Sequence, residues 1–231
     1  MESRRLRSRD LALIALFAGL IAALGLPGTI TVLGGQIPIT AQTLGVMLAG
    51  SILGGRRGAL AVLTFLVLVA AGMPLLAGGR GGLAAFAGLS AGFVLAWPLG
   101  AWACGWLTEH LVRKGRYTLP VGLIANTVGG VLVVYAVGVP FQAWRGNLGV
   151  LPSLTATAVL LPGDLLKVIL TTLVARGVHA GYPTPAAIAA RRTSRPARTR
   201  TGERAGGQTM EQVANHEDGQ AIRPDPNRPE P

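Results

Sequence analysis

In the stretch "LLPGDLLKVIL", Leu160 to Leu170, an aspartate and a lysine stand three residues apart inside an otherwise apolar run. At that spacing Asp164 and Lys167 share one helix face and can pair. A carboxylate only accepts hydrogen bonds and an ammonium only donates them, so the two together offer a ligand both kinds of charge-assisted contact. A charge at the centre of a membrane span costs at least about 2.5–3.5 kcal/mol, and such residues usually pair or line a pathway. A structural account competes: an aspartate favoured at a helix N-terminus by the macrodipole, with a lysine snorkelling to the same interface.

Other polar residues fall in segments that can meet this pair. Arg80 lies in "AGGRGG"; Gln36, Thr40, Gln42 and Thr43 lie in and after "GGQIPITAQT"; Ser90, Asn126 and Tyr135 lie in later apolar runs. Each alone has a structural role open to it, as a hydroxyl bonding its own helix, interhelical glue or an interface anchor. Together they form the pattern of a small-ligand pocket, mostly apolar with a few placed polar groups.

Catalytic chemistry is not written here. There is no HExxH, no GxSxG and no Walker A lysine, since "GGRRGAL" and "GGRGGLAA" lack the GK[ST] element. His110, His179 and His216 fall at predicted cytoplasmic ends or in the tail, and Cys104 is the sole cysteine. The expectation is therefore no enzyme, no cofactor, no metal site and no intramolecular disulfide.

The elements that must position these residues are membrane helices. The 231 residues are 50% hydrophobic and only 13% charged, with a mean hydropathy of +0.49, whereas soluble domains carry about 25% charged residues. Runs long enough to span predict six helices, at about Leu11–Leu26, Ile39–Leu53, Gly58–Met73, Leu83–Leu107, Leu119–Val139 and Asp164–Val178. "LPSLTATAVLL" reads as a short helical or interfacial piece, with the last helix restarting after Pro162 at Gly163 or Asp164. The fold class expected is an all-α integral membrane protein.

A net charge of +11 does not mark a nucleic-acid binder, because the basic residues sit in the joints and the tail. Arg4, Arg5, Arg7, Arg9, Arg56, Arg57, Arg113, Lys114, Arg116 and Arg176 fall on one side of a six-span topology, and only Arg80 and Arg145 on the other. The positive-inside rule then places both termini in the cytoplasm of a prokaryotic cell whose plasma membrane holds the chain. Residues 1–10 form a basic N-terminus and 11–182 the membrane domain. Residues 183–231, rich in Pro, Gly, Arg and Glu, read as a disordered cytoplasmic tail. In the first span Ala15, Gly19 and Ala23, and likewise Ala18 and Ala22, recur every fourth residue, a small-residue strip that lets another helix approach closely.

The runs "GGQIPITAQTLGVMLAGSILGG", "LSAGFVLAWPLGAWACGWLTE" and "LPGDLLKVILTTLVAR" resemble the BioY family, the biotin-specific S components of energy-coupling factor (ECF) transporters. The resemblance covers about Leu11 to Val178, and "PITAQTLGVMLAG" and "PGDLLK" are its most specific elements. It implies the six-helix S-component fold, with biotin captured outside the cell. It also implies two kinds of partner besides membrane lipid: a transmembrane coupling protein and an ATPase pair. Biotin is then transported ligand, not cofactor. Carried over by position, Asp164 and Lys167 are the first ligand contacts, with Arg80 as a second cation and Gln36, Thr40 and Gln42 as contacts or lid supports. Ala15, Ala18, Gly19 and Ala22 match the docking strip for the coupling protein. Where family members often read G-P-T-G-G-Y, this chain reads "GLSAGF": Ser90 keeps a hydroxyl, and Phe93 stacks but cannot hydrogen-bond. The alternatives are an S component for another vitamin, or a membrane sensor or scaffold using its basic tail. A self-sufficient secondary transporter is disfavoured by the lack of an inverted repeat or a chain of intramembrane carboxylates.

Overall fold

Apolar runs with few breaks fold as helices whose ends fall at glycine, proline or serine. The computed structural model describes residues 7–27, 40–112, 117–182, 184 and 188. Gln36, Arg4 and Arg5, the joint at 113–116 and the tail apart from Thr184 and Ile188 lie outside the described residues. Among the described residues every regular element is helical except an isolated bridge between Leu76 and Arg80.

The helices are α1 (Ser8–Ala23), α2 (Gln42–Leu53), α3 (Gly55–Ala70), α4 (Ala91–Leu111), α5 (Leu119–Asn126), α6 (Val134–Arg145), α7 (Val150–Ala158) and α8 (Leu161–Gly181). A π-helical stretch, Thr127–Val133, joins α5 to α6 into one continuous helix, Leu119–Arg145. Two helices, Ala91–Leu111 and Leu119–Arg145, are long and apolar enough to cross a membrane. The pair α7 and α8, bent by 56°, makes a third if taken as one broken span.

Two boundaries differ from expectation for local reasons. The run from Leu83 is not one helix: Leu83–Phe86 forms a 3₁₀ turn, and α4 starts only at Ala91, after Gly88 and Ser90. The last helix restarts at Leu161, ahead of Pro162. Proline is tolerated there because a first-turn N–H has no intrahelical acceptor to lose.

Helix α4 is the hub, packed against α2, α3, α5, α6 and the π stretch. Glycine makes this possible where α2, α3 and α4 meet. A Cβ on Gly105 would lie 2.2 Å from the Gly55 nitrogen, and one on Gly50 would lie 2.4 Å from the Ala101 oxygen. These helices therefore touch backbone to backbone, as small residues allow in membrane bundles. The joint between α2 and α3 is the single residue Gly54, at φ 86°, and Glu109 of α4 accepts the Gly55 N–H at 3.1 Å. At the same end, which carries Arg7, Arg9 and Arg57, the Arg57 guanidinium ties α3 to Asp10 of α1 at 2.8 Å.

One apolar cluster, including Ile21, Phe65, Val69, Phe93 and Trp97, fills the end opposite these arginines. A second, including Phe17, Leu53, Ala61 and Tyr117, fills the basic end. The strip on α1 divides between faces: Ala18 is 4% exposed within the first cluster and Ala22 packs against it, while Ala15 and Gly19 are exposed. Of the strip expected to dock a partner, Ala18 and Ala22 are packing residues within the bundle, and Ala15 and Gly19 hold the outward positions.

Gly105→Ala is expected to destabilise the protein by at least the roughly 1–3 kcal/mol typical of overpacking, since backbone rather than a side-chain tip must move. Thermal unfolding in detergent, compared with Gly19→Ala where the added Cβ meets open space, checks this.

Candidate ligand-binding site

The site opens at the end away from the arginine cluster, where α2, α4, α6 and α8 converge. Asp164 lies in the first turn of α8 and Lys167 one turn further in, with the ammonium donating to Asp164 Oδ1 at 2.9 Å. The Tyr135 hydroxyl donates to Asp164 Oδ2 at 2.5 Å. Both carboxylate oxygens therefore have donors, which is what lets a charge 8% exposed persist in an apolar bundle.

These three residues line a cavity of about 650 Å³ including its open mouth. Thr40, Gln42, Arg80, Ser90 and Phe93 line it too. Arg80 stands exposed at the rim, where its Nε donates to the Ala77 oxygen at 3.3 Å. Phe93 meets the Tyr135 ring edge-on at 6.0 Å. Its wall position depends on Gly138, where a Cβ would lie 2.3 Å from the Phe93 ring.

Gln42 works mainly as a staple. Its amide nitrogen donates to the Ile21 and Leu75 oxygens at 3.2 and 3.0 Å, and its oxygen accepts the Ala77 N–H at 3.0 Å. It is 1% exposed, so it fixes the Arg80 loop against α1 and α2 with its hydrogen-bonding groups engaged.

The π stretch shapes the far wall. Gly130, Val134 and Tyr135 face the cavity, and a Cβ on Gly130 would lie 2.4 Å from the Met47 side chain. A π turn adds a residue per turn and re-aims the helix beyond it, and such turns are frequent at functional sites.

Asn126, expected at the ligand, is not among the lining residues. It is fully buried, accepting from the Ser51 hydroxyl at 2.7 Å and donating to Thr172 at 3.2 Å and Tyr117 at 3.5 Å. That network joins α2, α5 and α8 below the cavity. Sequence reasoning did not assign Val94, Trp97 or Gly130 to the site. The available signal was spacing, because Ser90, Val94 and Trp97 recur at helical intervals with Phe93 beside them.

Among the described residues no cluster of His, Cys, Asp or Glu could hold a metal ion. The fold and site define a class: a multi-pass helical membrane protein with an open cavity lined by a part-buried ion pair. Comparison with known proteins narrows it. The BioY family model matches residues 1–184, and the chain belongs to that family, one of transporter components and not of enzymes. The biotin transporter BioY of Rhizobium etli is 46% identical over 179 residues, 76% of this chain and 96% of that protein. That of Rhodobacter capsulatus is 47% identical over 182 residues, 74% of this chain and 93% of that protein. A solved S component for biotin from an ECF-type ABC transporter superposes with a TM-score of 0.72 at 31% identity, covering 76% of this chain and 95% of that one.

Asn126→Ala is expected to lower the unfolding temperature while leaving ligand affinity within about twofold, because its partners are scaffold groups whose loss leaves buried polar atoms unpaired. Unfolding and titration on one preparation separate the two effects.

Proposed function

We propose that this chain binds biotin from outside the cell and delivers it inward as the S component of an ECF-type importer. The observation that carries this is the Asp164–Lys167–Tyr135 cluster lining a cavity in a member of the BioY family. Biotin has a ureido ring with two N–H donors and one acceptor oxygen, an apolar bicyclic body and a carboxylate. The Asp164 carboxylate suits one of the ureido N–H groups, Phe93, Val94 and Val134 suit the body, and Arg80 at the rim suits the ligand carboxylate. Lys167 then shares its charge between Asp164 and the ligand.

Family membership supports a wider assignment. Six spans cross the plasma membrane with both termini cytoplasmic, as the basic joints favour, and the tail after Pro183 is outside the binding domain. Transport draws energy from an ATPase pair through a transmembrane coupling protein that meets the exposed side of α1 at Ala15 and Gly19.

Titration calorimetry of the detergent-solubilised chain with biotin, riboflavin and thiamine tests the binding step. One-to-one binding of biotin alone is expected; a folded sample that prefers another vitamin overturns it. Asp164→Asn should weaken biotin about ten- to a hundredfold, matching the roughly 1.5–3 kcal/mol of a hydrogen bond to a charged group. Gly19→Trp should abolish ATP-driven uptake in cells supplying the ECF partners while leaving biotin affinity unchanged, because the substituted position faces open space.

A further inference from the structure

Two residues that line the cavity each carry a buried polar atom without a hydrogen-bond partner: the indole Nε1 of Trp97 and the hydroxyl of Thr43. Orphaned buried donors are rare and costly. Trp97 is 5% exposed, so bulk water does not readily satisfy it. Asp164, Lys167, Tyr135 and Gln42 of the same lining contrast with these two, since all four are engaged.

Depth in the cavity says what the orphans would meet. Along α4 the lining residues run inward from Ser90 through Phe93 and Val94 to Trp97, a drop of roughly 10 Å at 1.5 Å per residue. Trp97 therefore stands near the floor, with Gly130 of the π stretch, while Arg80 stands at the rim. An indole N–H only donates, so the ligand must bring an acceptor there; Thr43 can donate to the same atom. A carboxylate is served by the rim cation, while Trp97 and Thr43, neutral donors beside the Asp164–Lys167 pair, serve a neutral acceptor.

We infer that Trp97 Nε1–H and the Thr43 hydroxyl form a second polar pole of the site and donate to the ureido oxygen of the ligand. This rests on the biotin reading of the site. The ureido group is then held from two sides, one of its N–H groups by Asp164 of α8 and its oxygen by α4 and α2. The ligand completes the hydrogen bonding of the wall, and a body of the same shape without the acceptor leaves both donors buried and unpaired. Trp97 thus acts as a specificity-determining residue beyond its packing on Phe65, whose ring lies 6.2 Å away.

The test uses the full chain in detergent, titrated with biotin and with its analogue carrying sulfur, a weaker acceptor, in place of the ureido oxygen. Trp97→Phe keeps an aromatic ring against Phe65 and removes the N–H; Thr43→Val keeps the shape and removes the hydroxyl. Each should weaken biotin about three- to tenfold, the range of a neutral hydrogen bond, and weaken the sulfur analogue distinctly less. Unchanged biotin affinity, or an equal loss for both ligands, overturns the inference and leaves Trp97 as packing alone. If Trp97→Phe does not fold, the Thr43→Val comparison decides by the same criterion. Failure of the unsubstituted protein to bind biotin at all would instead overturn the function reading on which this rests.

Discussion

The Asp164–Lys167 ion pair is the constraint around which the cavity end of the molecule is arranged. An unpaired charge in such surroundings is strongly destabilising, and even a paired one needs its remaining hydrogen-bonding capacity filled. That requirement accounts for Tyr135 at Asp164 Oδ2, and Tyr135 in turn requires a helix that brings it round to α8. The π stretch Thr127–Val133 immediately precedes that turn of helix. Opposite it, Phe93 closes on Tyr135 edge-on because Gly138 leaves it room. The electrostatic demand of one pair thus propagates into backbone geometry two helices away.

Preorganisation comes from the same arrangement. The Arg80 loop is not left to its glycines, since Gln42 binds it at Leu75 and Ala77 and anchors to Ile21 of α1 as well. A fully engaged amide in this position fixes the distance between the rim cation and the charges on α8. Polar groups whose spacing is set before a ligand arrives lower the ordering free energy that binding must offset.

Some of this was legible in sequence, and the rest was hidden for identifiable reasons. Asp164 and Lys167 stand out because charges in an apolar run are few, and the BioY resemblance rested on "PGDLLK" and "PITAQT" in continuous sequence. Polar identity marked Asn126 as buried and bonded, but not at which level, because its depth depends on helix–helix contacts. Trp97 was legible only through its helical spacing from Ser90 and Val94, a signal that α4, apolar on all sides, does not single out, since Trp102 and Trp106 of the same helix are exposed. The two small-residue rows of α1 were likewise indistinguishable until packing separated Ala18 from Gly19. The boundary at Ala91 was missed because hydropathy was read where turn chemistry decides, and that at Leu161 because Pro162 was read as a break where it fits the first turn.

The backbone contacts among α2, α3 and α4 bear on how a ligand could leave. With Gly50, Gly58 and Gly105 leaving no gap between main chains, and a single glycine joining α2 to α3, these three helices have no interface along which to slide. They act as a rigid wall. Across the cavity, the Arg80 loop is held by the Gln42 amide at Leu75 and Ala77, by its own Leu76–Arg80 bridge and by the Gly82 N–H on the Val69 oxygen of α3, and α7 meets α8 at a sharp bend. One wall of the cavity is therefore set main chain against main chain, and the wall that carries the charges is set by a helix pair bent through 56°.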